Sequence, residues 1–266
     1  MANSIIPFQG FEELQAAVDQ LRAKISMLHL EHDELLHVEC KNIETAYMLA
    51  IGGLEYKAYE IECAILRLKR KAELIQVKKN RQEKIVLSEI EERLNTEFAE
   101  YQARLNEQIE KMNEALERKR RIPLTREETR EFKKLYRLIV RSLHPDINPD
   151  LDEAKRELFN NAVTAYKNGD IDGLRAISVI VTGQISPGEQ SSPVSQLVKE
   201  KERLSKLQQV IGEKIEAIKA EYPYTMKSLL MDPEQAEARK AEIESKIEQL
   251  SSTLDAYRAK IEEMLG

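Results

Sequence analysis

His144-Pro145-Asp146 places an imidazole, a rigid ring and a carboxylate side by side. The tripeptide alone is a weak signal: average residue usage gives roughly one or two chains in a hundred of this length containing it by chance. Pro and Asp are also common turn formers, so an ordinary helix–helix turn is the bland reading and the flanks must carry any sharper one. A second constellation, His29, His32, His37 and Cys40, gathers three of the four histidines, and Glu34-Leu35-Leu36-His37 has the Glu-x-x-His spacing of di-iron bundles. Such a centre needs a second motif of that kind on another helix. The sequence holds none, so no metal and no cofactor are expected, and His32 reads as an irregular layer of a helical seam. A third cluster is basic: Arg67, Lys69, Arg70, Lys71, Lys78, Lys79, Arg81 and Lys84 stand against only Glu73 and Glu83. It suits phosphate contact, but no aromatic residue interleaves to stack bases, and a solvated helix end is the simpler reading. No Gly-rich phosphate loop, catalytic carboxylate pair or nucleophile–base signature stands out, so the chain is expected not to be an enzyme.

The elements that would position His144-Pro145-Asp146 are legible on both sides. Upstream, Phe132, Leu135, Tyr136, Ile139 and Leu143 recur at helical spacing as one apolar face. Lys133, Arg137 and Arg141 fall opposite, with Lys134 and Arg130 nearby. Thr125 followed by Glu128 reads as a capping box, in which hydroxyl and carboxylate each satisfy an orphan N–H, so a helix is expected over 126–143. Downstream, Ile147-Asn148-Pro149 resists helix continuation, and Asp150 with Glu153 signals a new start. The second helix carries Leu158, Phe159, Ala162, Ala165 and Tyr166 inward, and Asn168-Gly169 supplies its stop. Two antiparallel helices joined at an exposed His-Pro-Asp turn follow.

This arrangement resembles the J-domain, the part of DnaJ-type co-chaperones that engages DnaK-type chaperones. Tyr136-Arg137 lies eight residues before His144, Ile139 and Leu143 hold the apolar positions between, and Phe159, Ala162, Ala165 and Tyr166 reproduce the F-x-x-x-x-x-A-Y register of the family's third helix. The likeness covers roughly residues 124–180. It departs from the family in two places: Ile147 follows Asp146 where Lys is common, and no Tyr- and Leu-bearing first helix precedes Thr125. A neighbouring coiled-coil helix is the candidate cover for that flank. The resemblance implies that His144, Pro145 and Asp146 form a recognition loop that docks on a DnaK-type chaperone and promotes hydrolysis of the ATP bound there. Lys133, Lys134, Arg137 and Arg141 would then steer the head onto an acidic surface, since complementary charge mainly raises association rate. Their bland alternative is a solvated helix face.

With 266 residues, 33% charged, 5% aromatic and no Trp, the composition argues against a thick globular core and for narrow aliphatic seams between long helices. The net charge of −6 gives no global pull toward nucleic acid or anionic membrane. Two cysteines, Cys40 and Cys63, make no disulfide framework. The sequence shows no signal peptide, and its most apolar stretch, 46–54, is far too short to span a bilayer. A cytoplasmic, membrane-free protein is expected.

Heptad spacing runs through Leu14, Val18, Leu21, Ile25, Leu28, His32 and Leu35 and loses phase near Ile43. Gly52-Gly53 predicts a kink or turn, because two adjacent helical glycines cost about 2 kcal/mol relative to alanines. The seam resumes from Leu54 to Ile75, a turn is read over 80–84, and a helix over 86–119 turns Ile90, Leu94, Phe98, Tyr101, Leu105, Ile109, Met112 and Leu116 inward. Asp170 caps a short helix over 171–181. Leu197, Leu204, Ile211 and Ile218 recur at sevens, Pro223 and Pro233 bracket a turn region, and Ile243, Ile247, Leu250, Leu254, Tyr257, Ile261 and Met264 form the cleanest register of the chain. A lone amphipathic helix cannot bury its seam, so the last two should close as an antiparallel hairpin or recruit partner helices.

The fold class is therefore all-α, with long antiparallel coiled-coil-like helices flanking a small J-domain-like hairpin. The divisions read as a tail over 1–10, a helical coiled-coil region over 11–122, the J-domain-like segment over 123–182, a linker over 183–193 and a C-terminal helical hairpin over 194–266. The leading functional expectation is a J-domain co-chaperone whose helical arms bind a client or another copy of the chain. Its alternative is a coiled-coil scaffold with a degenerate, inactive J-like head, and a weaker third is a basic-arm nucleic-acid or ribosome binder.

Overall fold

The structure is a computed structural model and describes residues 10–120, 123–183 and 194–266. The expected tail and linker lie outside the described residues, apart from Gly10 and Gly183. The protein is all-α, with no strand among the described residues. In chain order the helices are α1 (Phe11–Glu34), α2 (Cys40–Tyr47), α3 (Gly53–Asn80), α4 (Leu87–Glu97), α5 (Ala99–Arg120), α6 (Arg126–Leu143), α7 (Glu153–Asn168), α8 (Ile171–Gly183), α9 (Val194–Ala220), α10 (Lys227–Met231) and α11 (Pro233–Leu265). No helix among the described residues is long and apolar enough to cross a membrane.

From Phe11 to Asn80 the backbone stays helical, because the gaps between α1, α2 and α3 are filled by π-helical turns at Leu35–Glu39 and Met48–Gly52. Each π turn holds an extra residue per turn, which is why the heptad phase fails near Ile43. Of the kink or turn expected at Gly52-Gly53, the turn does not occur, and the irregularity there is a π turn within a continuous helix. Both glycines keep right-handed helical angles, and Gly52 closes the second π turn where an added Cβ would sit 2.9 Å from the Met48 sulfur.

The chain divides into two compact units that are not consecutive stretches: Met1–Lys41 with Ile122–Tyr224, and Asn42–Arg121 with Thr225–Gly266. In the second unit α3 turns back at Arg81 and Gln82, the latter at φ 54°, into α4 and α5. Arg67 meets Glu91 at 2.6 Å and Asn95 at 2.8 Å, whereas Asn42 meets Arg118, so this pairing is antiparallel as expected. The helix expected over 86–119 breaks at Phe98. The break resets the apolar phase, leaving Ile109 and Leu116 exposed while Ala115 is buried in their stead. Along the other side of α3 runs α11, with Glu55 paired to Arg239 and Glu62 to Lys246. Both contacts advance together, so α11 is parallel to α3. Ile243, Ile247, Leu254 and Ile261 are buried in the register read from sequence.

The first unit pairs α9 with α1 in the same sense, Arg22 meeting Glu200 and Glu31 meeting Lys219. Of the two outcomes expected for the C-terminal helices, closing on each other or recruiting partners, each helix takes a partner from the N-terminal half. The physical reason is that the long first helix offers a free apolar seam to both. The rest of this unit is α6, α7 and α8, which share one core with α1 and α9: Phe132, Tyr136, Ile139, Val140, Leu143, Phe159, Ala162, Tyr166, Leu174 and Ile177 are all buried.

Candidate functional site

The turn carrying His144, Pro145 and Asp146 is held by local signals at both ends. Thr125 caps α6 in a complete capping box, its Oγ1 accepting from the Glu128 amide at 3.2 Å and the Glu128 carboxylate accepting from the Thr125 amide at 2.8 Å. The helix ends at His144, whose extended backbone (φ −67°, ψ 125°) leads into Pro145, consistent with the bias a proline places on the residue before it. The cap of α7 is Asp152 rather than Asp150: its carboxylate accepts from the Lys155 amide at 2.8 Å. Gly169 ends α7 in the left-handed region at φ 70°, and Asp170 accepts from the Gly173 amide at the start of α8. Between the helices, Asn148 Nδ2 donates to the Arg141 and His144 carbonyls at 3.1 and 3.4 Å, and Ile147 is buried. Ile147 thus anchors the turn in the core.

Aromatic packing fixes α6 on α7. Tyr166 stacks on Tyr136 with ring centroids 3.9 Å apart and on Phe132 at 4.9 Å. The outer flank of the α6–α7 pair is covered by α1, which places His29, Leu30, Asp33 and Glu34 against it. Tyr136 donates its hydroxyl to Asp33 Oδ2 at 2.6 Å, and Lys133 is ion-paired with Glu34. Burial pushes the Asp33 carboxyl up, but hydrogen bonds from His32 and Tyr136 outweigh it and hold the group below the usual carboxylate range. The Tyr136 phenol is driven up by burial and by the Asp33 charge beside it.

His144 is not the exposed turn residue that the sequence suggests. Its ring stacks on His29, centroids 3.5 Å apart and planes at 27°, and meets Phe159 edge-on at 4.9 Å. The Asp146 amide donates to His144 Nδ1 at 3.1 Å. Burial drives both imidazoles down to about 4, with the His144 ring lowering His29 further and Asp146 and Asp33 opposing. Both rings are neutral at pH 7. Asp146 remains exposed; its Oδ2 lies 3.5 Å from His29 Nε2, and its carbonyl accepts from Arg203 of α9 at 2.8 Å.

Of the four cations expected to steer docking, Lys134, Arg137 and Arg141 are exposed on α6. Lys133 is half-buried and spends its charge on Glu34, a pairing that residue spacing within α6 could not reveal. Elsewhere the basic stretch is largely neutralised within its own unit: Arg67 and Lys71 pair with Glu91, Arg70 with Glu73 and Glu97, and Lys78 with Glu83. Asp33 and Arg203 were missed by sequence reasoning, and His29 was read only with His32, His37 and Cys40, away from the turn it packs on. The available signal was polar: His29 and Asp33 stand four apart, hence on one face of α1, beside an otherwise aliphatic seam.

No family model, curated protein or solved structure matches the chain.

Proposed function

We propose that this chain is a J-domain co-chaperone that docks on a DnaK-type chaperone through His144, Pro145 and Asp146 and stimulates ATP hydrolysis there. The observation that carries the reading is the helix pair itself. A capped α6 and an antiparallel α7 share an aromatic core and join at a His-Pro-Asp turn, while α6 keeps Lys134, Arg137 and Arg141 in solvent. The role is recognition, with no bond made or broken by this protein, and the cations raise the rate of encounter with an acidic partner. The paired arms are the surfaces for a client or a second copy. With only two cysteines, Cys40 and Cys63, the sequence has no disulfide framework, which supports a reducing, cytoplasmic setting.

The alternative, a coiled-coil scaffold with an inactive J-like head, is favoured by one observation: the turn is already engaged within its own unit, by His29 on the His144 ring and by Arg203 on the Asp146 carbonyl. Steady-state ATP hydrolysis by a DnaK-type chaperone, with and without the full chain, separates the two. Stimulation that Arg137→Glu with Arg141→Glu abolishes, at unchanged helicity, supports the co-chaperone. A folded wild type that leaves hydrolysis at its basal rate supports the scaffold.

A further inference from the structure

Three residues from two distant parts of the sequence meet at the turn with the atoms of a metal site. His29 from α1 and His144 and Asp146 from the turn each offer one ligand atom, and these atoms lie within 4.8 Å of one another. His29 is only 8% exposed, and its Nε2 is buried with no hydrogen-bond partner. A buried polar nitrogen without a partner carries a desolvation cost that needs a reason. The Asp146 carboxylate lies 3.5 Å from it, too long for a hydrogen bond. That separation matches the edge of a tetrahedron with ligand bonds of about 2.1 Å, which is about 3.4 Å.

We propose that His29, His144 and Asp146 bind a divalent transition-metal cation, zinc in the first instance, and thereby clasp α1 to the His-Pro-Asp turn. Two imidazoles and one carboxylate suit zinc and its neighbours in the first transition row far better than calcium or magnesium, which favour oxygen ligands throughout. Three protein ligands leave a fourth position for water. Asp146 is exposed and gives the ion a route in from solvent. The rings now stack with their planes 27° apart, so the stack must open for their in-plane lone pairs to converge on one ion; His144 Nδ1 already accepts from the Asp146 amide, which leaves Nε2 as its unengaged nitrogen, and Arg203, donating to the Asp146 carbonyl, is the cation that the ion must tolerate. The expectation of no metal rests on the absence of a second Glu-x-x-His motif on another helix and does not weigh the His-Pro-Asp turn as a source of ligands. Here His29 finds its partners on the turn, whereas His32 turns to Asp33 through Nδ1 at 3.0 Å.

The site is independent of any chaperone and is tested with metal alone. Metal-free full-length protein is titrated with zinc in a calorimeter and with cobalt(II) by its visible absorption. One equivalent should bind, and thermal stability should rise with zinc, because a ligand of the folded state stabilises it by mass action. Asp146→Asn, which keeps the shape of the turn, should weaken binding at least about tenfold, since even supporting residues around a metal typically cost that much. His29→Ala should abolish binding, and His37→Gln should leave it intact. If His29→Ala loses helicity, Asp146→Asn decides. Absence of saturable uptake by the folded wild type would overturn the site, as would uptake unchanged by Asp146→Asn or removed by His37→Gln.

Discussion

Tyr136 on α6 gives its only hydroxyl proton to Asp33, which lies 103 residues earlier on α1, at 2.6 Å. The bond joins the α6–α7 pair to the helix that covers its flank, and it does so with a charged acceptor in a largely buried position.

Hydrogen bonds to charged groups contribute roughly 1.5–3 kcal/mol, and leaving the acceptor unpaired adds a desolvation cost. Tyr136→Phe should therefore destabilise the protein by about 2 kcal/mol. Urea unfolding followed by circular dichroism measures this, and a double-mutant cycle with Asp33→Ala should return a coupling energy well above zero. Additive effects would detach the pair from the stability of the head.

The second expectation concerns His144 and reverses what an exposed turn would imply. Its ring lies between His29 and Phe159, and each aromatic contact is worth about 0.5–1.5 kcal/mol beyond area burial. His144→Gln should lower stability by about 1–2 kcal/mol while also removing chaperone stimulation. Melting curves and ATP hydrolysis on the same preparation separate the losses; an unchanged melt would mean the ring is not packed in solution.

A pH dependence follows from the same stack. Both imidazoles are lowered from 6.5 to about 4 in the folded protein, chiefly by burial. The unfolded chain therefore binds more protons between those values, so stability rises with pH across the window and is lost as pH falls from 6.5 toward 4. His37 is lowered in the same direction, by burial and by Lys167. The slope should approach, but not exceed, about 1.4 kcal/mol per pH unit for each ring. Urea midpoints at a series of pH values report it, and His29→Gln with His144→Gln should flatten the curve above pH 4.

An excised fragment over 123–183 should not fold cooperatively. Its Phe132, Tyr136 and Tyr166 core is closed by Val18, Ile25, Leu30 and Leu35 of the covering helix and by the seam of α9, and a domain of that size is already marginal in buried surface. Circular dichroism of the fragment should show reduced helicity and a broad melt. A sharp transition equal to that of the full chain would show the head to be autonomous.

What the sequence disclosed was whatever a short stretch decides for itself. The Thr125–Glu128 box, the Gly169 stop, the Asp170 cap and the buried register from Ile243 to Ile261 depend on neighbours within a turn or a helix, and each appears where its spacing put it. The pairing of α11 with α3, the ion pair of Lys133 with Glu34 and the meeting of His29 with His144 depend on which surfaces find each other in space. Heptad spacing identifies a seam and leaves its partner and direction open, since the same stripe serves parallel and antiparallel mates. The π turns were visible only as a lost phase, for no residue type marks them.

The order in which the walls of the head occur along the chain sets how fast it can assemble. Asp33 and Tyr136 are separated by 103 positions, and Glu31 and Lys219 by 188, whereas helical bundles owe their rapid folding to contacts that are near in sequence. Individual helices form within about a microsecond, so the slow event is the long-range search that returns α6 and then α9 to a helix formed far upstream. In its kinetics this helical protein should resemble a β-sandwich, with loop closure rather than helix formation as the limiting step.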